Sequence, residues 1–577
     1  MIPLDPPNRP QKKPLPSAHS VTVPNVIQSI SDAMTPGRLA EWNRSAEALL
    51  EQLKGLGINP TNVVDDSRQV APGDLFLAYP GATTDGRCYI GEAIERGAAA
   101  VFWESAISSL GGYRKTLPSD NTPRFAWSAQ WQVPNFPVAN LGGLSGCLAQ
   151  LIYNRPSERL SLLALTGTNG KTTISHALAQ SYPGACAMIG TLGAGRLGQL
   201  QDIGLTTPTA TALTRYLAEC VSDTAQPPIS ACALEASSIG LVTGRLNGLH
   251  IDVAVFTNLT RDHLDFHTTL AAYAEAKERL FHWPALRLAV INIDDFFGRE
   301  LLARTTAKKV LTYTQSNLPS NRLANLRAEN VEETASGLSF WLSAPNGRAQ
   351  VQTSLMGRYN VSNLLAVAAV LIDAGLTPNE VASRFAKLTP PPGRLEVVRS
   401  REAIAEPLVI VDYAHTPDAL EKALRALRPV LQRRSGHSPA KLHVVFGCGG
   451  ERDRGKRLLM GSVAMAFADR VLLTSDNPRR EDPQTILHEI LRGAPNAESV
   501  LDRATAIRQA VLNADNADVI LIAGKGHELY QDIAGERHPF SDFSEAQAAL
   551  DERRLQANPA HASALASAPK NPVKERP

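Results

Sequence analysis

Cysteine is scarce, with six residues at positions 88, 147, 186, 220, 232 and 448 and no CxxC spacing among them. So few thiols in 577 residues exclude a disulfide framework and point to a reducing, cytoplasmic setting. Long apolar runs are also missing: nothing approaches the roughly eighteen uninterrupted apolar residues of a membrane-spanning helix, so no span is expected. The chain has no excess of either charge, because 58 Lys plus Arg against 56 Asp plus Glu leave +2. That balance excludes the global basic field that recruits nucleic acid or an anionic membrane, and any anionic ligand must be held by local groups. The first twenty residues have neither the apolar core of a secretory signal nor an Arg-rich amphipathic pattern. No repeat appears in the range of about 20 to 50 residues.

What is present describes an ordered, multidomain α/β protein. Apolar residues make up 44% and charged residues 20%, enough for each domain to bury a core. Proline dominates residues 1–16 and periodicity is weak to Thr35, so residues 1–39 are expected to be a flexible leader, and the Ala/Pro/Ser/Lys composition of 556–577 predicts a flexible tail. Between them, short β-like runs alternate with helical patterns: LLALTG (162–167), ACALEA (231–236), VAVFTN (253–258), LAVINI (288–293), LVIVDY (408–413), LHVVFG (442–447), RVLLTS (470–475) and DVILIAG (518–524). This alternation predicts parallel sheets covered by helices. Linker-like stretches at 153–159 and at the prolines of TPPPGR (389–394) place domains at 40–157, 158–392 and 393–555.

LLALTGTNGKTT (162–173) is a buried-strand pattern entering a glycine-containing turn, then Lys171, Thr172 and a helical stretch. The backbone N–H groups from Gly167 through Thr168, Asn169 and Gly170 to Lys171 can cradle phosphate oxygens. Lys171 can reach the β and γ groups, and the Thr172 hydroxyl can ligate Mg²⁺. The full pattern GxxxxGK[ST] would need glycine at Leu165, so only its Gly-Lys-Thr end survives.

TGTNGKTT resembles the shortened phosphate loop of the Mur ligases, ATP-dependent amide-forming enzymes of peptidoglycan precursor synthesis. LEASSIGL (234–241), TNLTRDHLDFH (257–267), YAEAKERLF (273–281), LMGRYNVSN (355–363), PPGRLE (391–396), VDYAHTPDAL (411–420), FGCGGERDRGKR (446–457), SDNPRR (475–480) and GKGHELY (524–530) extend the likeness over about residues 62–545. Their identity and order look like the branch that adds meso-2,6-diaminopimelate to UDP-N-acetylmuramoyl-L-alanyl-D-glutamate. The resemblance implies a small N-terminal α/β domain binding the uridine nucleotide, a central P-loop-type parallel-sheet ATPase domain and a C-terminal Rossmann-like domain binding the amino acid. It implies ATP and Mg²⁺, no nucleic acid, no membrane insertion, a monomer, and a role in cell-wall growth, shape and division.

Carried over residue by residue, the resemblance makes Lys171, Glu235, His263 and Lys277 the catalytic set. Thr172, Glu235, His263 and a CO₂-carbamylated Lys277 would be the metal ligands. Gly167 to Thr173, with Asn363, Arg394, Asp412 and His415, would hold ATP. Ser67, Arg68, Thr206, Thr207, Pro208, Ser237 and Arg245 match positions that touch the nucleotide substrate, and a planar guanidinium at Arg245 suits a carboxylate or phosphate. Arg452, Asp476, Asn477, Pro478, Arg479, Gly524 and Glu528 match the amino-acid pocket. There Arg479 can make a paired contact with the second carboxylate that distinguishes diaminopimelate from lysine. Ile239 stands where the family commonly has His, and Ile can neither ligate metal nor donate a hydrogen bond. Two other readings are a ligase of the same superfamily resembling folylpolyglutamate synthetases, and a non-catalytic nucleotide-binding relative. The intact Lys171, Glu235, His263 and Lys277 argue against the second.

Overall fold

The structure is a computed structural model describing residues 35–81, 84–105, 125–318, 323–334, 337–400, 406–435 and 440–557. The expected leader before 35 and the expected tail from 558 on lie outside the described residues, while residues 556–557 are a correction to that 556–577 tail, because they close the helix Asp542–Ala557. Residues 36–39 are a correction to that leader, because they open the helix Pro36–Gly55. Thr35 caps it by accepting from the Arg38 N–H, and Pro36 occupies the first turn, where its missing N–H costs nothing.

The first sheet is parallel, in the order Val63–Val64, Leu75–Ala78, Ala100–Glu104 and Asn135–Val138. Every side chain of LFLA is buried because the strand is covered on both faces: Leu75 and Leu77 meet the helices Pro36–Gly55 and Leu141–Ile152, while Phe76 and Ala78 meet Ile90–Glu95. The second sheet has ten strands, ordered Gly347–Thr353, Gly337–Ala344, Leu326–Thr334, Lys309–Thr314, Leu288–Asn292, Val253–Phe256, Ser161–Thr166, Ile229–Glu235, Ala185–Gly190 and Gly193–Gly195. Its middle is parallel and its edges antiparallel. The third sheet runs Glu396–Val398, Leu408–Asp412, Val519–Ala523, Leu442–Phe446, Arg470–Leu473 and Glu498–Ser499, parallel except at its first pair.

All eight apolar runs form strands, and the motifs begin where those strands stop. Gly167 follows Thr166, Glu235 closes its own strand, and Thr257 follows Phe256. In the third sheet the loops after Asp412, Phe446, Leu473 and Ala523 carry His415, Arg452, Asp476 and Gly524. Parallel sheets gather their loops at the carboxyl ends of the strands, where ligands of open α/β sheets bind. Among the described residues no helix is long and apolar enough to cross a membrane.

One buried ion pair organises the third sheet's loops. Arg503 and Asp542 are both wholly buried; the Arg503 Nε and one terminal N donate to the two carboxylate oxygens at 2.7 Å each. Its remaining donors reach the carbonyls of Ser475 (3.2 Å) and Ala523 (3.0 Å), the residues just before Asp476 and Gly524. Removing one partner of such a pair strands an uncompensated charge, so Asp542→Ala is expected to destabilise the C-terminal domain by about 3–5 kcal/mol. Denaturation followed by a probe in that domain checks this, and an unchanged midpoint would contradict it.

Candidate active site

The phosphate loop leaves its strand at Gly167, whose φ of 144° is a region L side chains rarely adopt, and a Cβ there would lie 1.8 Å from Thr257 Oγ1. The loop is laced to the neighbouring strand's loop: the Thr168 N–H donates to the Asn258 carbonyl (2.8 Å), and the Asn169 N–H to Asn258 Oδ1 (3.0 Å). Thr168 Oγ1 donates to the Thr260 carbonyl (3.1 Å). Lys171 Nζ folds back to donate to the carbonyls of Gly167 (2.8 Å) and Thr168 (3.0 Å). Gly170 abuts Asn363 Oδ1, Thr173 is buried, and Asn169 Nδ2 reaches across to Asp418 Oδ2 of the C-terminal domain (2.8 Å).

Glu235 is wholly buried, and hydroxyl and amide donors hold its carboxylate: Thr172 Oγ1 (3.1 Å), Thr191 Oγ1 (3.0 Å) and the Thr191 N–H (3.1 Å). Lys277, on the helix Leu270–Glu278, is 1% exposed, donates to the Gly167 carbonyl at 2.9 Å and sits 4.2 Å from the Tyr273 ring centroid. Two lysines thus share one carbonyl. Burial, and then the Lys171 charge, push the Lys277 ammonium well below the ordinary lysine range, with Asp262 acting the other way. His263 has a left-handed φ of 53°, and its Nε2 lies 3.4 Å from Asp262 Oδ2. His415 Nε2 approaches the same oxygen at 3.8 Å from the C-terminal domain. The structure therefore joins Thr172 to Glu235 directly, places Lys277 on the Gly167 carbonyl beside Lys171, and groups His263 with Asp262. Among the described residues no three His, Cys, Asp or Glu side chains cluster as a metal cage. One carboxylate beside a hydroxyl and a phosphate loop nevertheless fits Mg²⁺, which is commonly held by one or two carboxylates, substrate phosphates and water.

Arg394 lies in the segment that leads from the central domain into the C-terminal domain. Its guanidinium lies 4.6 Å from the Tyr413 ring centroid and donates to Thr172 Oγ1 at 3.3 Å, while its buried Nε has no hydrogen-bond partner. Asp412 spends its carboxylate on the N–H groups of Leu395 (2.7 Å) and Ala414 (2.8 Å), and burial raises its pKa. It therefore shapes the turn that presents Arg394 and His415.

In the central domain Thr207 Oγ1 donates to the Glu235 carbonyl (2.7 Å) and sits 2.9 Å from Ser237 Oγ, and Thr206 Oγ1 lies 3.2 Å from Thr191 Oγ1. Pro208 is buried, and an Arg245 terminal N donates to the Thr207 carbonyl (2.7 Å). In the first domain Ser67 is buried with its hydroxyl on Glu92 (2.8 Å), and Arg68 is exposed and pairs with Asp66 (2.8 Å). The residues that close this cleft escaped sequence reasoning: Tyr79 Oη donates to Asp65 Oδ2 (2.6 Å), and Thr209 Oγ1 donates from the central domain to Asp65 Oδ1 (3.1 Å). A second acidic residue beside Asp66 was the available signal.

In the third domain Asn477 Nδ2 donates to Glu528 Oε2 (2.8 Å), and Lys525, also missed, donates to Asn477 Oδ1 and Glu528 Oε2 at 2.9 Å each. Gly524 lets Asp476 approach, since a Cβ there would sit 2.5 Å from Asp476 Oδ2. The buried Pro478 turns the chain into Arg479, and Arg452 is exposed beside Gly449. Arg479 donates to the Gly450 carbonyl (2.8 Å) and forms no ion pair with a carboxylate among the described residues.

Three family models match this chain in order: the Mur ligase family catalytic domain over 61–150, the Mur ligase middle domain over 165–371, and the Mur ligase glutamate ligase domain over 393–526. The UDP-N-acetylmuramoyl-L-alanyl-D-glutamate–2,6-diaminopimelate ligase of Chromobacterium violaceum is 44% identical over 519 residues, 89% of this chain and 97% of that one. The chain belongs to the Mur ligase family. A solved structure of a ligase of the same name aligns with a TM-score of 0.55 at 34% identity, covering 86% of this chain and 95% of that one. The Mur ligase MurF of Thermotoga maritima, solved with ADP, aligns with a TM-score of 0.58 at 18% identity, covering 87% and 99%, and so supports the fold. Mur ligases are ATP-dependent.

Gly190 gives the most direct test of this geometry. Its backbone is not left-handed, but a Cβ would lie 2.3 Å from Glu235 Oε1 and 2.6 Å from the Glu235 Cδ and Cγ. Gly190→Ala must therefore displace the carboxylate. A fall in ligase turnover of about 10²–10³-fold is expected, on the scale of removing one preorganised electrostatic group. Steady-state kinetics on the folded variant checks it; turnover near that of the unaltered chain would contradict the placement of Glu235.

Proposed function

We propose that this chain joins the amine of meso-2,6-diaminopimelate to the D-Glu γ-carboxylate of UDP-N-acetylmuramoyl-L-alanyl-D-glutamate, using ATP. The observation carrying the choice of amino acid is Arg479, a guanidinium with no protein carboxylate of its own, next to Asn477 and Glu528. A substrate with two amino-acid ends offers that guanidinium a carboxylate and offers Glu528 an ammonium. The 44% identity to a curated diaminopimelate ligase supports the same reading.

The nucleotide substrate lies between Asp65, Tyr79, Arg245 and the Thr206–Thr207 run, and extends its γ-carboxylate toward Glu235. ATP lies along Gly167–Thr173, with Asn363 and Arg394 beside that loop and His415 reaching the nucleotide from the C-terminal domain. Lys171 releases the loop carbonyls and turns to the phosphates. Attack of the carboxylate oxygen on the γ-phosphorus forms the acyl phosphate and expels ADP; the diaminopimelate amine then attacks the acyl carbon, and phosphate leaves with formation of the amide. Thr172 and Glu235 would hold Mg²⁺, which would supply neutralisation of the phosphate charge. Apposition of the C-terminal domain keeps water from the acyl phosphate.

Lys277 fits carbamylation because its lowered pKa raises the fraction of free amine, the form that adds to CO₂ with loss of one proton. The resulting anion would end the juxtaposition of two ammonium groups on the Gly167 carbonyl. Lys277→Ala is expected to lose about 10²–10³-fold in turnover. Formate or acetate should restore part of it by replacing the missing oxygen donor; loss without any rescue would contradict the carbamate.

Arg479→Ala is expected to raise KM for diaminopimelate by at least about a hundredfold, taking about 2–5 kcal/mol for a truncated buried charge pair and about 1.4 kcal/mol per tenfold. KM for ATP and for the UDP substrate should stay within about twofold, because Arg479 touches neither loop. The unaltered enzyme should prefer diaminopimelate to L-lysine by a similar factor. Equal use of the two amino acids would overturn this role of Arg479.

A further inference from the structure

Arg261 and Asp453 have no role in the chemistry above, yet they join the two loops that must meet for it. Arg261 precedes Asp262 and His263 in the loop after the strand Val253–Phe256. Asp453 follows Arg452 in the loop after Leu442–Phe446, just before the helix Gly455–Phe467. The Arg261 Nε donates to Asp453 Oδ2 at 2.9 Å, and a terminal N donates to Oδ1 at 3.0 Å. Two parallel bonds of this kind fix direction as well as distance.

The backbone around the pair is shaped to admit it. Asp453 Oδ1 also accepts from the Gly455 N–H (2.9 Å), which holds the carboxylate toward Arg261. A Cβ on Gly455 would lie 2.4 Å from the Arg261 terminal N, so glycine leaves room for the guanidinium. Asp453 is buried while the Arg261 side chain is 44% exposed, and a pair with a solvated partner contributes little to stability. Its consequence is positional. The same segment carries Arg452 and Lys456; Lys456 is buried, its backbone N–H donates to the Asp453 carbonyl (3.4 Å), and its ammonium has no hydrogen bond or ion pair among the described residues. On the other side, Asp262 faces His415 of the C-terminal domain at 3.8 Å.

We propose that Arg261 and Asp453 are positioning residues, an interdomain latch that seats the Arg452–Lys456 segment of the amino-acid pocket on the Asp262–His263 loop and so couples diaminopimelate binding to occupancy of the phosphate site. This rests on the ligase reading above. The test is titration calorimetry of meso-diaminopimelate into the full chain, alone and with Mg²⁺, the β,γ-imido analogue of ATP and the UDP-dipeptide. Arg261→Ala, Asp453→Asn (which keeps the oxygen that caps Gly455) and the double variant are compared with the unaltered chain, and Arg508→Ala, a surface pair with Glu552, serves as control. Prior binding should tighten diaminopimelate by at least about tenfold in the unaltered chain and control, and by less than about twofold in both single variants, within the usual range of such couplings. The double variant should match the singles, and affinities measured one ligand at a time should stay within about twofold. Coupling retained in either single variant, or effects that multiply in the double, would overturn the latch. Ligation assayed alongside separates the two readings: ligation with unaltered coupling in the variants overturns the latch alone, whereas no ligation by the unaltered chain overturns the function on which it rests.

Discussion

A carboxylate with no access to water must be repaid by donors, and Glu235 collects them from separate segments: Thr172 from the phosphate loop and Thr191 from the next strand's loop. Through Thr172 the network reaches Arg394, the residue at the junction with the C-terminal domain. Through its own carbonyl it reaches Thr207 and the substrate cleft. Burying this one charge therefore brings the Gly167–Thr173 loop, the domain junction and the Thr207–Ser237 pair into register, and on the proposed reading Mg²⁺ with ATP phosphates would exchange some of those donors for stronger partners.

The second organising charge is the opposite one. Lys171 and Lys277 converge on the Gly167 carbonyl, and burial first, then the Lys171 charge, lowers the pKa of Lys277. On the proposed reading, bound polyphosphate would draw Lys171 from the carbonyl and carbamylation would convert Lys277 into an anion; each step would relieve the same repulsion. The phosphate loop is thus arranged for partners that the polypeptide alone does not supply.

The fold was legible where a strand is buried on both faces, since continuous apolar runs such as LLALT, LVIVD and VILIA have few alternatives in a chain punctuated by glycine and proline. The antiparallel extension at Leu326–Thr353 went unremarked because its half-exposed strands, such as GRAQVQT, alternate polar and apolar residues without a long apolar run. The helix at Pro36 went unseen because the prolines before it masked a good cap at Thr35. Within the site, glycine–lysine–threonine chemistry and the DNPR run carry their meaning in local spacing. Asp65, Tyr79, Lys525 and the Arg261–Asp453 pair do not: each matters through a partner 14 or more residues away or in another domain, except that Lys525 also meets Glu528 three residues on. His263 and Lys277, for their part, make no hydrogen bond or ion pair with Glu235 among the described residues: His263 is grouped with Asp262 and Lys277 with the Gly167 carbonyl, an arrangement that their separate motifs did not reveal.

The central claim is that one closed site activates a carboxylate of the UDP-dipeptide with ATP and delivers diaminopimelate to it. The most direct measurement is inorganic phosphate release, followed beside amide formation, with each of the three substrates omitted in turn. Phosphate released in equal amount to the tripeptide product, and only when ATP, the UDP-dipeptide and meso-diaminopimelate are all present, is the expected result. Sustained release with a folate-type acceptor in place of the UDP-dipeptide, or no release with all three present, would contradict it.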